Sequence, residues 1–306
     1  MPDATAGDVG EFGLIALVAE RLGTGPQVLL GPGDDAAVVA APDGRVVATT
    51  DVLVEGVHFR RDWSTAYDVG RKAAAANLAD IAAMGATGSA LLVGLAAPAD
   101  LPVAWALELA DGLRDEGALV GAVVVGGDTV RAEQVVVSVT ALGDLQGRRP
   151  VSRAGARVGD VVVVAGRLGG SAAGLALLTA GRRTGPLVDV HRRPEPPYAL
   201  GPALADSGAT AMCDVSDGLV ADLGHVCAAS GVGMELDVAA VPRPDGVSEQ
   251  QALHGGEDHA LVGTVPPGAV AGLAELGVVA VGRVRAGSGV RDSGGRPLTG
   301  GWEHFG

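Results

Sequence analysis

The sequence predicts a mixed α/β (α+β) fold that is divided into two domains. A chain of 306 residues lies near the length at which one hydrophobic core gives way to two. Helix-like and strand-like apolar periods alternate along both halves. Between the halves, residues 143–159 are rich in Gly, Arg and Pro and lack hydrophobic periodicity. We therefore place the boundary near residue 150 and expect domains over residues 1–150 and 151–306.

The first half is predicted to begin with a helix and to continue with alternating strands and helices. Residues 67–84 are rich in Ala and are followed by Gly85, a pattern typical of a buried helix with a C-terminal glycine. The predicted helices are Glu11–Leu22, Tyr67–Met84 and Pro102–Glu116, and the predicted strands are Val46–Thr50, Ser89–Ala96, Ala122–Val125 and Gln134–Leu142.

The second half repeats this mixed character. The predicted strands are Asp160–Ala165, Met234–Val238 and His259–Val265, and the predicted helices are Ser171–Ala180, Leu200–Ser207 and Leu219–Ser230. Residues 181–197 are predicted to form a loop. The glycine-rich segment Gly166–Gly174 follows a strand and opens a helix, which favours an anion at the helix N-terminus. Close packing of that helix explains the glycines equally well.

Composition disfavours several classes of partner. The formal net charge is −14 and Lys72 is the only lysine, whereas nucleic acids and anionic membrane surfaces select basic patches. The apolar runs fall well short of the ~18 to 20 residues of a membrane span. The first ten residues lack the pattern of a secretory signal, so we expect a cytoplasmic protein. Cys213 and Cys227, the two cysteines, are expected to be core residues.

Aspartates follow apolar segments in both halves. The set comprises Asp35, Asp51, Asp80, Asp128, Asp214 and Asp217. Ligand clefts of α/β sheets form at the carboxyl ends of strands, and a carboxylate cluster there would repel itself unless divalent cations were bound. Nearby hydroxyls at Thr49, Thr50 and Ser216 favour Mg²⁺ or Mn²⁺ over zinc. Each Asp can instead form a turn or a helix cap, and we expect a turn role for Asp34.

The familiar phosphate-binding and hydrolase motifs are absent from the sequence. A Walker loop needs Gly-Lys-Ser/Thr, but Lys72 is followed by Ala73. The His-Arg-Asp and Asp-Phe-Gly motifs of protein kinases do not occur. A Ser-His-Asp hydrolase is also disfavoured, because no Gly-x-Ser-x-Gly elbow lies near a strand end.

Short motifs along nearly the whole chain share the order and spacing of one enzyme family. They are Gly10-Glu-Phe-Gly-Leu-Ile15, Gly33-Asp-Asp-Ala-Ala37, Thr49-Thr-Asp-Val-Leu-Val-Glu-Gly-Val-His-Phe59, Asn77-Leu-Ala-Asp-Ile-Ala-Ala-Met-Gly85, Gly126-Gly-Asp-Thr129, Asp214-Val-Ser-Asp-Gly-Leu219, Gly255-Gly-Glu-Asp258 and Gly301-Trp-Glu-His-Phe305. Together they resemble the thiamine-monophosphate kinase family. That family belongs to the superfamily of aminoimidazole ribonucleotide synthetase and selenophosphate synthetase.

This resemblance implies a set of site residues. The ligands of several Mg²⁺ ions would be Asp35, Thr49, Thr50, Asp51, Asp80, Asp128, Asp214 and Asp217. Among these, the catalytic aspartates would be Asp51, Asp80, Asp128 and Asp217, while Gly127, Asp128, Arg153 and Ser216 would contact ATP, and His58, Glu257 and Trp302 would bind thiamine monophosphate. The resemblance also implies N-terminal sheets that join across a homodimer, and an active site in the cleft between the domains.

The activity implied by the resemblance is transfer of the γ-phosphoryl group of ATP to thiamine monophosphate. The acceptor phosphate has a second pKa of about 6, so it is mostly a dianion near neutral pH and needs no strong base. We expect direct in-line transfer without a phosphoenzyme. The alternatives are another ATP-using enzyme of the superfamily, or a non-catalytic module that binds divalent metal or nucleotide. A hydrogenase-maturation relative should end in Cys, whereas this sequence closes with His304-Phe305-Gly306.

Overall fold

A computed structural model of the chain describes residues 4–31 and 37–302, without the side chains of residues 11 and 12. The chain divides into two compact units. Unit 1 contains residues 1–81 and 87–146, and unit 2 contains residues 82–86 and 147–306. Each unit combines helices with a β-sheet, as the sequence predicts. No helix in the described part of the chain is long and apolar enough to cross a membrane.

Unit 1 is built on a four-stranded sheet. Its elements are α1 (Ala6–Ala19), β1 (Val28–Leu30), β2 (Val38–Val39), β3 (Val47–Val54), α2 (Ala66–Ala83), β4 (Thr87–Ala97), α3 (Val103–Ala118), β5 (Val123–Arg131) and β6 (Val136–Asp144). The strand order is β3-β6-β4-β5, so β3 and β5 form the two edges. The β4–β5 pair is parallel and the other two pairs are antiparallel. Strands β1 and β2 form a separate ladder.

Helix α2 covers one face of this sheet. Its Leu78 and Ile81 are almost fully buried, and they fit against glycines of the sheet. A Cβ added at Gly88 would lie 2.6 Å from Leu78 Cδ2, and one added at Gly143 would lie 2.4 Å from Ile81 Cγ2. Burial of each such side chain stabilises the fold by about 1.5–3 kcal/mol. Small residues in the strands therefore let the helix approach closely.

The other face of the sheet is called the open face here. It carries Thr50, Val52, Val54, Leu92, Gly94, Ala96, Gly126, Asp128, Val130, Val136, Ser138 and Thr140, which the strand register places side by side. Three of its apolar residues are substantially exposed, Val52 at 45%, Leu92 at 36% and Val130 at 51%. The described residues of unit 1 thus bury one face of the sheet and leave the second accessible.

Helix α1 begins five residues before its predicted start. Thr5 caps it, because the Thr5 hydroxyl accepts a hydrogen bond from the Asp8 backbone N–H at 3.3 Å and the Asp8 carboxylate accepts one from the Thr5 N–H at 2.9 Å. Gly10 interrupts the helix with a φ of 70°. The prediction from apolar period alone misses this short, capped first turn.

Unit 2 is built on a seven-stranded sheet. Its elements are β7 (Val161–Ala165), α4 (Gly170–Thr179), α5 (Pro186–Arg192), α6 (Leu200–Asp206), β8 (Ala211–Asp214), α7 (Leu219–Ser230), β9 (Gly233–Leu236), α8 (Glu249–His254), β10 (Leu261–Val265), α9 (Val270–Glu275), β11 (Val279–Arg285), β12 (Gly289–Asp292) and β13 (Pro297–Leu298), with 3₁₀ turns at Val238–Ala240 and Pro267–Ala269. The strand order is β13-β12-β9-β11-β7-β10-β8. Only the β12–β9 ladder among these is parallel.

Both faces of this sheet are covered. Along β7, Val162 and Val164 belong to a cluster with α7 residues such as Leu223. The alternate residues of β7 belong to a second cluster, which includes Leu204 of α6 and Leu273 of α9. Because its side chains are buried on both sides, β7 is a continuous apolar run in the sequence.

The prediction of a loop over residues 181–197 is wrong. Helix α5 (Pro186–Arg192) lies there, with Pro186 in the first turn, where its missing N–H has no cost. Val188 and His191 bury one side of this short helix. Seven residues are too few to establish a helical period, so packing against α4 is what defines the helix.

Candidate active site

Edge strand β3 and helix α2 bring three predicted metal ligands together. The Thr49 Oγ1 hydroxyl donates a hydrogen bond to Asp80 Oδ2 at 2.7 Å. The Asp51 backbone N–H donates to Asn77 Oδ1 at 3.0 Å, and the Asn77 amide in turn donates to the Ala73 carbonyl at 2.9 Å. Asn77 and Asp80 are three residues apart and lie on one face of α2. The Thr49 hydroxyl thus contacts the Asp80 carboxylate, and Asp51, two residues after Thr49 on the same side of β3, is tied to α2 through its backbone. These three residues are called the β3–α2 cluster below.

The prediction that the candidate aspartates follow the carboxyl ends of strands is partly wrong. Asp51 lies within β3 and Asp128 within β5, and Asp80 lies in α2, so these three do not follow the carboxyl ends of strands. Asp214 does, because it is the last residue of β8. Asp34 and Asp35 lie outside the described residues.

Thr50 and Asp128 lie on the open face. The Thr50 hydroxyl accepts a hydrogen bond from Thr140 Oγ1 at 3.1 Å and donates to the Val139 carbonyl at 3.0 Å. Asp128 is exposed, and its Oδ1 accepts from the Thr129 backbone N–H at 2.8 Å. Beside it, a Cβ at Gly127 would lie 1.9 Å from the Val93 carbonyl oxygen, so only glycine fits there.

His58 lies in a turn after β3 that is held by hydrogen bonds to its ring and to its carbonyl group. Its Nδ1 accepts a hydrogen bond from the Val54 backbone N–H at 3.1 Å. The Lys72 ammonium donates to the His58 carbonyl at 2.9 Å, and Lys72 is only 3% exposed. The single lysine of the chain thus anchors a loop, which agrees with the absence of a Walker motif.

A second acidic group forms in unit 2 at the start of α7. Asp214 Oδ2 lies 3.1 Å from His259 Nδ1, and both residues are buried. The Asp217 backbone N–H donates to Asp222 Oδ2 at 3.2 Å. Ligand atoms of Asp217, Asp222 and His225 all lie within 4.8 Å of one another. Burial, reinforced by the negative charge of Asp214, raises the pKa of Asp222 to about 7.

Asp222 and His225 are not among the residues predicted from the sequence. Their signal is the spacing of three residues within a predicted helix, which places two possible ligands on one helical face. Arg153, a predicted ATP contact, is exposed, and its positive charge lowers the pKa of the same Asp222 carboxyl in opposition to burial. Its carbonyl accepts a hydrogen bond from Ser230 Oγ at 2.9 Å.

The donor sets of both units fit Mg²⁺. The β3–α2 cluster offers two carboxylates and a hydroxyl, all hard oxygen donors without a sulfur ligand. In unit 2, burial and the negative charge of Asp214 raise the pKa of Asp222 although the positive charge of Arg153 opposes them, so the Asp222 carboxylate lacks sufficient counter-charge. A bound divalent cation would provide that counter-charge.

The loop over residues 255–259 joins several predicted site residues. The Glu257 N–H donates to the Ser216 carbonyl at 2.8 Å, and the His259 N–H donates to the Val215 carbonyl at 2.9 Å. Glu257 and His259 adopt φ values of 63° and 52°, which are strained for residues other than glycine. Glu257 is therefore held beside Ser216 in a conformation that its surroundings enforce.

Asp258, between them, occupies the N-terminus of α4. Its carboxylate accepts hydrogen bonds from the Gly169 N–H at 2.5 Å and the Ser171 N–H at 2.9 Å. Burial raises its pKa to about 6 although these amides favour the charged form. The anion expected at Gly166–Gly174 is thus a carboxylate of the chain itself. Because Asp258 accepts these two N–H groups, they are not available to an external phosphate.

Ser171 and His191 form a buried pair behind this loop. Ser171 Oγ lies 2.9 Å from His191 Nδ1, and the Glu257 Oε2 atom lies 3.8 Å from the same ring nitrogen. Ser171 is 1% exposed and His191 is 6% exposed, so this serine is not accessible to a substrate. The pair supports the Glu257 loop and does not resemble an activated nucleophile.

The backbone of Trp302 is hydrogen-bonded to the segment that carries Asp217. Its N–H donates to the Asp217 carbonyl at 2.9 Å, while the residue as a whole is 58% exposed. Gly301 permits this approach, because a Cβ there would lie 2.4 Å from Ala221 Cβ. The structure therefore brings together Asp214, Ser216, Asp217, Glu257 and Trp302 within unit 2.

The two units together define the class of protein. Residues 33–145 match the family model for the AIR synthase related protein N-terminal domain, and residues 157–293 match the model for the C-terminal domain of the same class. The protein therefore has the two-domain α/β fold of AIR synthase related proteins.

Comparison with individual proteins shows to which family of this class the chain belongs. Thiamine-monophosphate kinase of Mycobacterium tuberculosis H37Rv is 50% identical over 282 residues, covering 86% of this chain and 84% of the relative. The crystal structure of thiamine-monophosphate kinase from Stenotrophomonas maltophilia K279a aligns with a TM-score of 0.81 and 32% identity, covering 93% of this chain and 95% of that one. A solved structure named "AaThiL complexed with AMPPCP and TMP" aligns with a TM-score of 0.80 and 34% identity, covering 97% of both chains. The chain belongs to the thiamine-monophosphate kinase family.

Proposed function

We propose that this protein phosphorylates thiamine monophosphate with ATP, giving thiamine diphosphate and ADP. The observation that carries the proposal is the β3–α2 cluster, which offers Mg²⁺ ligands in a chain of the thiamine-monophosphate kinase family. Support also comes from the related ThiL structure, which contains AMPPCP and TMP.

The reaction is a single displacement at phosphorus. An oxygen of the acceptor phosphate forms a new bond to the γ-phosphorus of ATP, while the bond from that phosphorus to the β–γ bridging oxygen breaks. The acceptor is mostly a dianion near neutral pH because its second pKa is about 6. The chain therefore has little proton transfer to perform and chiefly has to bind and orient two polyanions.

The chain's carboxylates meet this need. Thr49, Asp51 and Asp80 in unit 1, with Asp214 and Asp217 in unit 2, would hold Mg²⁺. When bound, Mg²⁺ neutralises phosphate charge and orients the two reactants. Thr50, Asp128 and Asp35 complete the proposed ligand set, and Gly127, Arg153 and Ser216 contact ATP.

The organic part of the acceptor is positioned by different groups. Glu257 supplies a negative charge opposite the cationic thiazolium ring, and the exposed Trp302 supplies an aromatic face on which a ring can stack. His58 completes this pocket. The proposal also includes a homodimer formed through the N-terminal sheet, supported by the exposed apolar residues of the open face.

The test combines purified protein with ATP, Mg²⁺ and thiamine monophosphate, and measures ADP and thiamine diphosphate. We expect turnover that EDTA abolishes, and none with unphosphorylated thiamine, whose neutral hydroxyl cannot replace the acceptor dianion. Comparable rates on both acceptors would contradict this account of the acceptor site. Binding of ATP and Mg²⁺ without turnover would favour a non-catalytic module instead.

A further inference from the structure

We infer that His191 is a positioning residue of the acceptor site, whose imidazole holds the Glu257 carboxylate in the orientation that receives the cationic thiazolium ring. This inference rests on the proposed function, in which Glu257 binds the organic part of thiamine monophosphate. The observations that carry it are the burial of His191, the contacts of its Nδ1 atom and the rigid attachment of the Glu257 backbone. All of these residues lie in unit 2.

The backbone around Glu257 is fixed on two sides. On one side, the Glu257 N–H donates to the Ser216 carbonyl at 2.8 Å, and a Cβ added at Gly256 would lie 2.6 Å from the same oxygen. On the other side, a Cβ added at Gly255 would lie 2.6 Å from Ala172 Cβ of α4. The position of the Glu257 carboxylate therefore depends on its side-chain torsions and on the groups that its oxygens contact.

His191 is itself held rigidly in α5. Its side chain is only 7% exposed. Helix α5 lies so close to α4 that a Cβ added at Gly174 would be 2.7 Å from His191 Cβ and 2.1 Å from the Leu187 carbonyl oxygen. Ser171 Oγ of α4 lies 2.9 Å from His191 Nδ1. The imidazole consequently has a defined orientation and is not accessible to a substrate.

The Nδ1 atom of His191 also faces Glu257. It lies 3.8 Å from Glu257 Oε2, and the Glu257 side chain is 31% exposed. A lone pair on Nδ1 would repel this carboxylate, whereas an Nδ1–H attracts it in both the neutral and the protonated ring. The proton thus belongs on Nδ1, with Ser171 Oγ as its hydrogen-bond acceptor. At 3.8 Å the contact with Glu257 is electrostatic and too long for a hydrogen bond, so it orients the carboxylate without occupying one of its acceptor positions.

This orientation matters for binding of the acceptor. A carboxylate that is already ordered binds a cation more tightly than one that becomes ordered on binding, because less side-chain entropy is lost. His191 lies behind Glu257 and is not one of the proposed Mg²⁺ or ATP ligands. Removal of its imidazole should therefore raise the KM for thiamine monophosphate and leave kcat and the KM for ATP nearly unchanged.

The test compares His191→Leu with His191→Asn. Leucine fills the buried site without a polar atom, whereas the asparagine amide can place an N–H close to the position of Nδ1. We expect His191→Leu to raise the KM for thiamine monophosphate about tenfold, with kcat and the KM for ATP within about twofold of wild type. His191→Asn should stay within about threefold in all three constants. Titration calorimetry with thiamine monophosphate alone should show the same loss of affinity in His191→Leu.

Ser171→Ala provides a milder second variant, which keeps the test decisive if His191→Leu does not fold. It removes the hydroxyl that orients Nδ1 but keeps the backbone N–H that binds Asp258. We expect its KM for thiamine monophosphate to rise about threefold, with kcat unchanged.

Two controls separate this role from a purely structural one. Val188→Ala removes a fully buried side chain of the same helix, so it should lower Tm without changing the KM for thiamine monophosphate. In a Glu257→Gln background, whose KM is already raised, His191→Leu should add less than about twofold, because the carboxylate that His191 orients is absent.

Three outcomes would overturn the inference. The first is a wild-type KM for thiamine monophosphate in His191→Leu and Ser171→Ala, and the second is a tenfold rise that persists in the Glu257→Gln background. The third is an equal rise in Val188→Ala, which would assign the effect to loosening of α5. Failure of the proposed function is distinct, because the wild-type protein would then show no turnover with ATP, Mg²⁺ and thiamine monophosphate.

Discussion

The Thr49 hydroxyl orients its neighbour Asp80 and is at the same time a proposed Mg²⁺ ligand. It donates to Asp80 across the gap between β3 and α2, which orients that carboxylate while a hydroxyl lone pair remains for a cation. Threonine and serine both provide this group, whereas valine keeps the shape of threonine without it. Position 49 therefore permits a controlled test.

We predict that Thr49→Val lowers kcat/KM for thiamine monophosphate by about 10- to 100-fold, the equivalent of about 1.4–2.7 kcal/mol. The activity of Thr49→Val should also require more Mg²⁺, because one ligand is lost and Asp80 is less well oriented. Thr49→Ser should stay within about threefold of wild type. Steady-state rates over a range of Mg²⁺ concentrations provide the measurement, and identical Mg²⁺ dependence in both variants would contradict the ligand role.

Single residues were predictable where the chemistry was local. The sequence singles out Thr49, Asp51 and Asp80, and the structure places them in one cluster. It does not reveal Asn77 as the acceptor for the Asp51 N–H, because a hydrogen bond between distant segments leaves no periodic signal. Burial of Cys213 and Cys227 is confirmed, and burial raises the pKa of both thiols.

At the scale of elements, helix α4 depends on a carboxylate supplied by a distant loop. Asp258 satisfies two N–H groups at the start of α4 and simultaneously fixes the loop that carries Glu257. Because burial holds the Asp258 pKa at about 6, the folded protein keeps this proton over a pH range where the unfolded chain has released it. Between about pH 4 and 6 the folded state binds more protons, so the free energy of unfolding falls as pH rises.

We predict that Asp258→Asn removes this part of the pH dependence. The wild-type free energy of unfolding, measured with urea, should decrease relative to that of the variant by up to about 3 kcal/mol as pH rises from 4 to 7. The variant should be less stable overall, because an amide oxygen accepts only one of the two N–H groups in this geometry. Exposed Asp245→Asn controls for the loss of one carboxyl, and parallel pH curves for wild type and Asp258→Asn would refute the prediction.

The bounds of helices and strands with a clear apolar period are predicted accurately, whereas short helices and strands are missed. The sequence predicts α7 with its observed bounds, and it predicts α2 and β7 to within a residue at each end. It misses α5, α8 and the four-residue β8, because six or seven residues cannot show a helical period and four cannot show a strand alternation. Strands β11 and β12 carry glycine and arginine among their apolar residues, which obscures their alternation, and β13 has only two residues.

At the scale of the whole molecule, the order of strands is what the sequence could not supply. The mixed two-part fold follows from length and alternation, but the order β3-β6-β4-β5 depends on pairings between distant segments. That order decides the relation between Asp51 and Asp128, which the motif positions alone leave undefined. The positions of these two aspartates in the sheet therefore follow only from the strand register.

The acidic groups of both units lead to a prediction about the stability of the whole protein. The chain has a formal net charge of −14, so any salt should relieve some general repulsion by screening. Specific Mg²⁺ sites should add more, because a ligand that binds only the folded state stabilises it by about 2.7 kcal/mol at 100 times its Kd. We predict that MgCl₂ raises Tm by on the order of 5 °C beyond NaCl of equal ionic strength.

Asp51→Asn and Asp214→Asn should each reduce this excess shift in Tm, measured by differential scanning calorimetry, whereas exposed Asp100→Asn should leave it unchanged. Equal shifts with the two salts, or an undiminished Mg²⁺ effect in both Asp51→Asn and Asp214→Asn, would show that these carboxylates act as general negative charge and not as cation ligands.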